Sequence, residues 1–117
     1  MIMIHGNPRS RQISEGFSQE QKKAGVEYYS ELAAGLAASG ELISTEALAA
    51  PEQGRRVGVE VLAADGPVTE EKEHLAGFFL VDCANLERAL QIAARVPEAD
   101  LGLVEVRPVI GADQLLG

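Results

Sequence analysis

The stretch FFLVDC, residues 78–83, decides the fold because it is apolar on both faces of a predicted strand. Side chains alternate along a strand, so Phe78 and Leu80 point to one face. Phe79 and Val81 then point to the other face. A strand with one solvated face alternates apolar and polar residues instead. We therefore expect the strand that contains FFLVDC to be covered on both sides.

Around this strand, short apolar runs alternate with helical periodicity. A capping-box pattern at Ser18 and Gln21 and a glycine at position 40 bound the longest helix, and Asp65-Gly66-Pro67 is a strong turn signal. The predicted elements begin with a strand at 1–6, a polar loop at 7–17, a helix at 18–39, and strands at 41–49, 56–62 and 75–83. A second helix follows, which Asn85 caps and Pro97 stops, and its predicted apolar face consists of Leu86, Ala89, Leu90 and Ala93. A strand at 101–110 is the last predicted element. This order predicts a single α+β domain over residues 1–117, with a ferredoxin-like antiparallel sheet and two helices on one face.

Two helices cover only one face of such a sheet, which leaves the second apolar face exposed. In a chain of 117 residues the simplest cover is a second copy, because most soluble oligomers are symmetric homodimers. We expect Phe79 and Val81 to lie on the face that this second copy covers. The sequence therefore predicts a homodimer.

The composition argues against several classes of protein. Ten basic against eighteen acidic residues give a net charge of −8, which repels the phosphate backbone of nucleic acids. The single cysteine cannot form an intramolecular disulfide, and the Cys/His spacing typical of zinc sites does not occur. The opening MIMI run is too short for a membrane span or a signal peptide. We therefore expect a cytoplasmic protein with no nucleic-acid or membrane partner, no metal and no cofactor.

The motif DGPVTEEKEHLAGF, residues 65–78, joins the predicted turn to the decisive strand. It resembles the DGPF signature of the YCII-related family, in which Asp-Gly-Pro-Phe precedes a Glu-x-Lys-Glu segment and a Gly-Gly-Phe. The resemblance extends over nearly the whole chain through EVRP at 105–108, GELISTEAL at 40–48, and Tyr29, eleven positions before Gly40.

The resemblance implies a dimeric α+β barrel, in agreement with the argument from the apolar faces. Some members look like enzymes with a His-Asp pair in the cleft, and one relative is a dehydrochlorinase acting on a chlorinated hydroquinone. In this chain Tyr29 and Val96 occupy the positions of that pair, so both acid-base groups are missing. Val68 and Ala76 also depart from the signature, which has Phe and Gly there. The resemblance therefore implies a fold and a dimer, but it does not imply that reaction.

Several polar residues are candidates for a ligand cleft. His5 ends the first strand, and Tyr29 lies on the apolar stripe of the long helix with a hydroxyl that needs a partner if buried. Arg107 shares one side of the last strand with Glu105, and such a charged pair in an apolar setting must find partners. The predicted ligand-binding residues are His5, Tyr29, Asp65, Lys72 and Arg107, and the candidate catalytic residues are His5, Asp65 and Glu73.

Each candidate also has a structural interpretation, since Asp65 can brace its own turn and the charged run at 70–73 can be a solvated surface. Three functions fit. The first, which we favour because no complete catalytic set is present, is a noncatalytic homodimer that binds a small polar or aromatic metabolite. The second is a lyase or isomerase that transfers a proton with His5 and either Asp65 or Glu73. The third is a regulatory protein-interaction module, because similar relatives are found joined to, or encoded beside, sigma-factor-like regulators.

Overall fold

The computed structural model describes residues 1–57 and 72–117, together with the backbone of residues 64 and 65. These residues form an α+β fold with a four-stranded antiparallel sheet and a separate two-stranded sheet. The strands are β1 (Ile2–Gly6), β2 (Leu42–Ala47), β3 (Arg55–Arg56), β4 (Ala64–Asp65), β5 (His74–Val81) and β6 (Val104–Val106). The helices are α1 (Pro8–Glu15), α2 (Gln19–Ala38), α3 (Leu86–Ala93) and α4 (Ala112–Leu116), with short 3-10 helices at Pro51–Gln53 and Pro97–Leu101.

The four-stranded sheet has the order β2-β5-β1-β6. Because β1 and β2 both run antiparallel to the β5 strand between them, they are parallel to each other, and α2 joins them. In the same way β5 and β6 flank β1, and α3 joins them. Two interleaved β-α-β units thus give the mixed fold that the sequence predicts.

The hydrophobic core lies on one face of this sheet, between the sheet and helices α2 and α3. It consists of Ile2, Ile4 and Phe79 from the sheet, Leu32 and Leu36 from α2, Ile92 and Ala93 from α3, and Val96 just after α3. Since residues of α2 and α3 meet the same strand residues, both helices cover the same face. The predicted arrangement of two helices on one face is therefore present, with α1 and α4 in addition.

The expectation that Phe79 and Val81 lie on the face away from the helices is wrong. Phe79 is buried in the core, and Val81 packs against it. Phe78 and Leu80 point to the other face, where both are half-buried. The strand is apolar on both faces, as predicted, but the face left for a second copy is that of Phe78 and Leu80.

The ends of α2 follow from its capping residues, and the predicted helix at 18–39 is confirmed. The Ser18 hydroxyl accepts a hydrogen bond from the Gln21 N–H at 3.1 Å, and the Gln21 side chain accepts one from the Ser18 N–H at 2.8 Å. At the other end Gly40 has a φ of 81°, in the left-handed region that glycine tolerates best.

The segment 7–17 contains a helix, α1, where the sequence predicts a polar loop. The Asn7 side chain accepts a hydrogen bond from the Ser10 N–H at 2.8 Å, and the Ser10 hydroxyl accepts one from the Asn7 N–H at 2.9 Å. Pro8 occupies the first turn, where its missing N–H costs nothing. No residue of α1 is buried, so the helix has no apolar periodicity to reveal it.

The apolar face of α3 agrees with the predicted one at Ala89 and Ala93 and differs from it at Leu86 and Leu90. Asn85 caps the helix as expected, accepting from the Arg88 N–H at 2.9 Å. The buried residues of the helix are Ala89, Ile92 and Ala93, whereas the predicted Leu86 and Leu90 are exposed. Positions 89, 92, 93 and 96 have the same i, i+3, i+4, i+7 spacing as the predicted set, so periodicity alone fits both faces.

The last predicted strand is shorter than expected. Residues Pro97–Leu101 form a 3-10 helix, and β6 includes only Val104–Val106. β6 lies at the edge of the sheet, and Pro108, which lacks an N–H donor, follows it outside the ladder. In the predicted 56–62 strand, residue 56 pairs in β3 and Val57 lies outside any strand, while 58–62 and the Gly66-Pro67 turn lie outside the described residues.

No helix in the described part of the chain combines the length and the apolar character needed to cross a membrane.

A bidentate ion pair ties the start of α3 to the turn before β2. Arg88 donates through Nε and Nη2 to the two carboxylate oxygens of Glu41, each at 2.9 Å. Hydrogen bonds from Arg88, and then from Ser39, lower the pKa of Glu41 from 4.5 to about 2. The charged form of Glu41 is therefore the one that the folded chain favours.

We expect this pair to stabilise the fold above pH 4.5 and to lose its contribution as the pH falls from 4.5 toward 2, because protonation of Glu41 then removes the ion pair. Urea unfolding across this range measures the loss, and Arg88→Met flattens it. Arg11→Met is the matched control, because both side chains of the Arg11–Glu52 pair are more exposed than Glu41 and contribute less. An unchanged acid slope in Arg88→Met contradicts the assignment.

Candidate functional site

The sheet face opposite α2 and α3 combines apolar and charged side chains. Residues paired across antiparallel strands point to the same face, so Met3 shares a face with Phe78 and Glu105, and Leu80 shares it with Ser44. We call this surface the outer face. Its members are Met3, His5, Ser44, Glu46, Phe78, Leu80, Glu105 and Arg107.

Three charged or polar side chains form a cluster on the outer face, along β1 and β6. Arg107 donates to one oxygen of Glu105 through Nη2 at 2.7 Å and through Nε at 3.1 Å. The other Glu105 oxygen lies 3.7 Å from Nε2 of His5. The hydrogen bonds from Arg107, with a smaller effect of His5, hold the pKa of the Glu105 carboxyl below its usual value. Glu105 is thus a carboxylate anion that lies between the Arg107 guanidinium and the His5 imidazole.

His5 reaches this cluster because it lies on the same face of β1 as Met3, which pairs with Glu105. On the other side of β1, Ile4 pairs with Gly77 and His5 pairs with Leu75, so β5 has one extra residue, Ala76, at this register shift. The imidazole is largely shielded, with 22% of its side chain accessible. The carboxylate that His5 meets belongs to Glu105, which the sequence places on the last strand without linking it to His5.

The other predicted site residues lie away from this cluster or outside the description. Lys72 and Glu73 are exposed just before β5. The backbone of Asp65 pairs with Arg55 in the two-stranded sheet, and its side chain lies outside the described residues. His74, which is not among the predicted site residues, is half-buried, with its ring so close to Gly6 that a Cβ there would lie 2.7 Å from Nε2. This contact gives His74 a packing role.

Tyr29 belongs to α2, on the other side of the sheet. Its ring stacks on Phe79 with centroids 6.2 Å apart and an interplanar angle of 20°. Its hydroxyl donates a hydrogen bond to the carboxylate of Glu98, in the second 3-10 helix. Burial, and then this hydrogen bond, raise the pKa of Tyr29 above its usual value. The hydroxyl is therefore a fixed donor, unsuited to accept a proton at neutral pH.

The sheet separates Tyr29 from His5 and Arg107. The Tyr29 ring stacks on Phe79, which belongs to the face that the helices cover. Glu105, which contacts His5 and Arg107, belongs to the outer face. The predicted ligand-binding residues thus lie on two surfaces. Of these residues, the structure brings together His5 and Arg107.

No group of three or more His, Cys, Asp or Glu side chains in the described part of the chain is arranged to hold a metal ion.

Comparison with known proteins places this chain in a family. The family model of the YCII-related domain matches residues 1–112. The chain belongs to the YCII-related family. A relative of this YCII-related chain, an uncharacterized protein of Rhizobium meliloti (strain 1021), is 46% identical over 52 residues. The match covers 43% of this chain and 42% of the relative, so it spans well under half of either protein.

Two residues of this YCII-related chain have structural roles that the motif alone does not reveal: Gly77 in the sheet and Glu98 next to Tyr29. Gly77 belongs to the signature and is buried where β2 approaches β5, and a Cβ there would lie 2.9 Å from the carbonyl oxygen of Glu46. Glu98 supplies the carboxylate next to Tyr29, while Val96, at the position expected for an acid, is buried in the core. No spacing rule points to Glu98, because the 3-10 helix that carries it depends on tertiary packing.

Proposed function

We propose that this YCII-related protein is a noncatalytic homodimer whose outer faces pack together and bind a small polar or aromatic metabolite at their border. The observation that carries the proposal is the composition of the outer face, where Phe78 and Met3 adjoin the cluster of His5, Glu105 and Arg107. The apolar side chains favour a second sheet, and the charged cluster favours a polar ligand.

Burial of apolar area supports the dimer. At about 25 cal/mol per Å², removing roughly 600 Å² of apolar surface from water gives a gross gain of about 15 kcal/mol. Association costs about 4–15 kcal/mol in lost translational and rotational freedom, so an apolar interface of roughly 600 Å² would be near the minimum for a stable pair. Phe78 and Leu80 are already half-buried within one chain, so the stability of the dimer also depends on contacts that other residues make across the interface.

The chemistry of the cluster supports a ligand with an aromatic or polar body and an acceptor group. A guanidinium has five N–H donors, and Glu105 takes only those on Nε and Nη2 of Arg107. Arg107 is exposed, so its remaining donors are accessible to a carboxylate or carbonyl oxygen. The Phe78 ring offers a flat apolar surface on the next strand but one, and this combination is typical of small-molecule sites.

A thermal-shift screen with a broad set of metabolites tests the proposal. We expect at least one compound to raise the melting temperature of the wild-type protein by several degrees, as binding to the folded state does. Arg107→Met reduces the shift, because the guanidinium contact is lost. Arg95→Met is the matched control, since Arg95 is exposed beyond the end of α3.

Two results contradict the proposal. One is a screen in which no compound stabilises the protein. The other is a stabilising compound whose shift is the same in Arg107→Met and Arg95→Met, which places its site away from the outer face.

A second candidate, proton transfer by a lyase or isomerase, is favoured by one contact. His5 lies next to the Glu105 carboxylate, and a histidine beside a carboxylate is a common acid-base arrangement. If a substrate is found, this function predicts that His5→Asn abolishes turnover. His74→Asn is its control, because His74 packs on Gly6 and lies outside the cluster. Equal turnover by both variants contradicts the catalytic role of His5.

A further inference from the structure

The net charge of the cluster formed by His5, Glu105 and Arg107 depends on one proton. Arg107 is a permanent cation. Glu105 stays ionised across the range in which histidine titrates, because Arg107 holds the pKa of its carboxyl below the usual value. These two charges cancel, so the cluster is neutral while the imidazole is neutral. An imidazole ordinarily titrates near about pH 6.5, and its protonation turns the cluster into a net cation.

Two members of the cluster have donors for a ligand oxygen. Glu105 occupies donors on Nε and Nη2 of Arg107, and Arg107 is exposed, so its Nη1 donors remain for a ligand. The His5 side chain is 22% accessible, and its Nε2 lies 3.7 Å from Oε1 of Glu105, beyond the usual length of a hydrogen bond. Because the Glu105 carboxylate already lies between Arg107 and His5, a second carboxylate has the right size to contact both.

The charges on the strands around His5 balance one another. The charged groups of these strands are the Met1 amino group before β1, Glu105 and Arg107 on β6, Lys72 and Glu73 just before β5, and Glu46 on β2. The residue opposite His5 on β5 is Leu75, which is apolar. A bound anion upsets this balance, and His5 is the group beside it that can restore it by taking up a proton.

Apolar side chains next to the cluster provide a place for the body of the ligand. Phe78, Met3 and Glu105 stand in one row across β5, β1 and β6. Neighbours in such a row have Cβ atoms about 4.5–5.5 Å apart. A single aromatic ring over Met3 and Phe78 thus matches the distance to a carboxylate bound beside Glu105.

We propose that the ligand is a monocarboxylate with a flat apolar body, and that His5 takes up a proton when it binds. This inference rests on the proposed ligand site and needs no second copy of the chain. The carboxylate accepts from Arg107 and from the protonated ring of His5. A neutral carbonyl compound gains the Arg107 contact alone, because it gives His5 no reason to take up a proton. A phosphate, with a charge of about −1.5 to −2, leaves a negative charge that one proton does not balance.

Benzoate and its neutral analogue benzamide are the probes, and NMR titrations at matched ionic strength in sodium chloride measure their affinities. We expect benzoate to bind about five- to tenfold more weakly at about pH 8 than at about pH 5.5, because a carboxylate beside an imidazole favours the protonated ring. We expect benzamide to bind more weakly than benzoate in acid and equally at both pH values. The chain has two histidines, so their ring signals can be followed separately. At neutral pH, benzoate moves the His5 ring signals toward those of an imidazolium and leaves those of His74 in place.

Three variants assign the effect to residues. His5→Gln keeps a polar side chain that takes up no proton, so its affinity for benzoate is low and does not change with pH. Arg107→Met weakens benzoate binding at both pH values. His74→Gln is the matched control and keeps the wild-type pH dependence, because His74 packs on Gly6 outside the cluster. Backbone amide spectra like that of the wild type show that each variant is folded.

The possible failures of this inference differ from a failure of the proposed function. Benzoate binding that is equal at both pH values, or His5 ring signals that do not move, overturns the proton uptake. Equal affinities for benzamide and benzoate overturn the carboxylate class and leave the ligand site in place. If neither probe binds, the inference is overturned, and the proposed function stands when a neutral compound stabilises the protein through Arg107. A thermal-shift screen without any stabilising compound contradicts the proposed function itself.

Discussion

Replacing Phe79 with alanine lowers the free energy of unfolding by about 3–5 kcal/mol, which is the range for large-to-small changes at buried aromatic residues. Phe79 is 2% exposed, lies in the core cluster opposite Ile2, and stacks on Tyr29. The substitution leaves a cavity between the sheet and helices α2 and α3, in a molecule whose total stability is about 5–15 kcal/mol. Urea unfolding followed by circular dichroism measures the loss.

The neighbouring Phe78 provides the matched comparison, because it points to the outer face. We expect Phe78→Asp to retain the fold and to lower the mass in solution from two chains to one, since a carboxylate on that face opposes packing against a second sheet. Unfolding of both variants is compared at a concentration where each is monomeric. If Phe78→Asp unfolds as easily as Phe79→Ala, our assignment of the faces is wrong. If it remains a dimer, the paired outer faces are wrong.

The contrast between Phe78 and Phe79 also shows which features of the fold strand alternation predicts and which it does not. Alternation predicts that Phe78 and Phe79 lie on opposite faces, and it predicts that both faces are apolar. It does not say which face the helices cover, because that depends on the hand and direction of the connections through α2 and α3. The expectation for Phe79 was wrong for this reason, although the strand itself was predicted.

The parts of the fold that the sequence predicts well are those with local chemical causes. The capping box at Ser18 and the left-handed Gly40 bound α2, and Asn85 begins α3. Each signal depends on residues within one turn of the boundary. Helix α1 was missed although Asn7 and Pro8 provide a capping signal, because the prediction relied on apolar periodicity, which an exposed helix lacks.

The candidate site was predictable only in part, because it depends on register. The sequence selects His5 and Arg107 and places Glu105 on the same side of its strand as Arg107. The contact between His5 and Glu105 requires that β6 pair with β1 so that Met3 faces Glu105. This register is a property of long-range pairing, which no pattern within β1 or β6 specifies.

Replacing Tyr29 with phenylalanine lowers the free energy of unfolding by about 1–3 kcal/mol, the usual cost when a part-buried charged acceptor loses its donor. The hydroxyl of Tyr29 links α2 to Glu98 in the second 3-10 helix, and the ring remains stacked on Phe79 after the substitution. The effect therefore isolates the hydrogen bond from the packing of the ring. Urea unfolding at neutral pH measures it.

Tyr28→Phe is the control, because the Tyr28 hydroxyl donates to the Arg95 carbonyl oxygen at an exposed position, where water can replace it. We expect it to cost less than about 1 kcal/mol. The two variants also differ in alkaline solution. The raised pKa of Tyr29 means that its contribution is complete below the unfolded value of about 10 and is lost as the pH rises above it. Wild type and Tyr28→Phe thus lose stability above pH 10 more steeply than Tyr29→Phe. Equal costs and equal alkaline slopes for the two variants would show that Glu98 does not hold Tyr29 in solution.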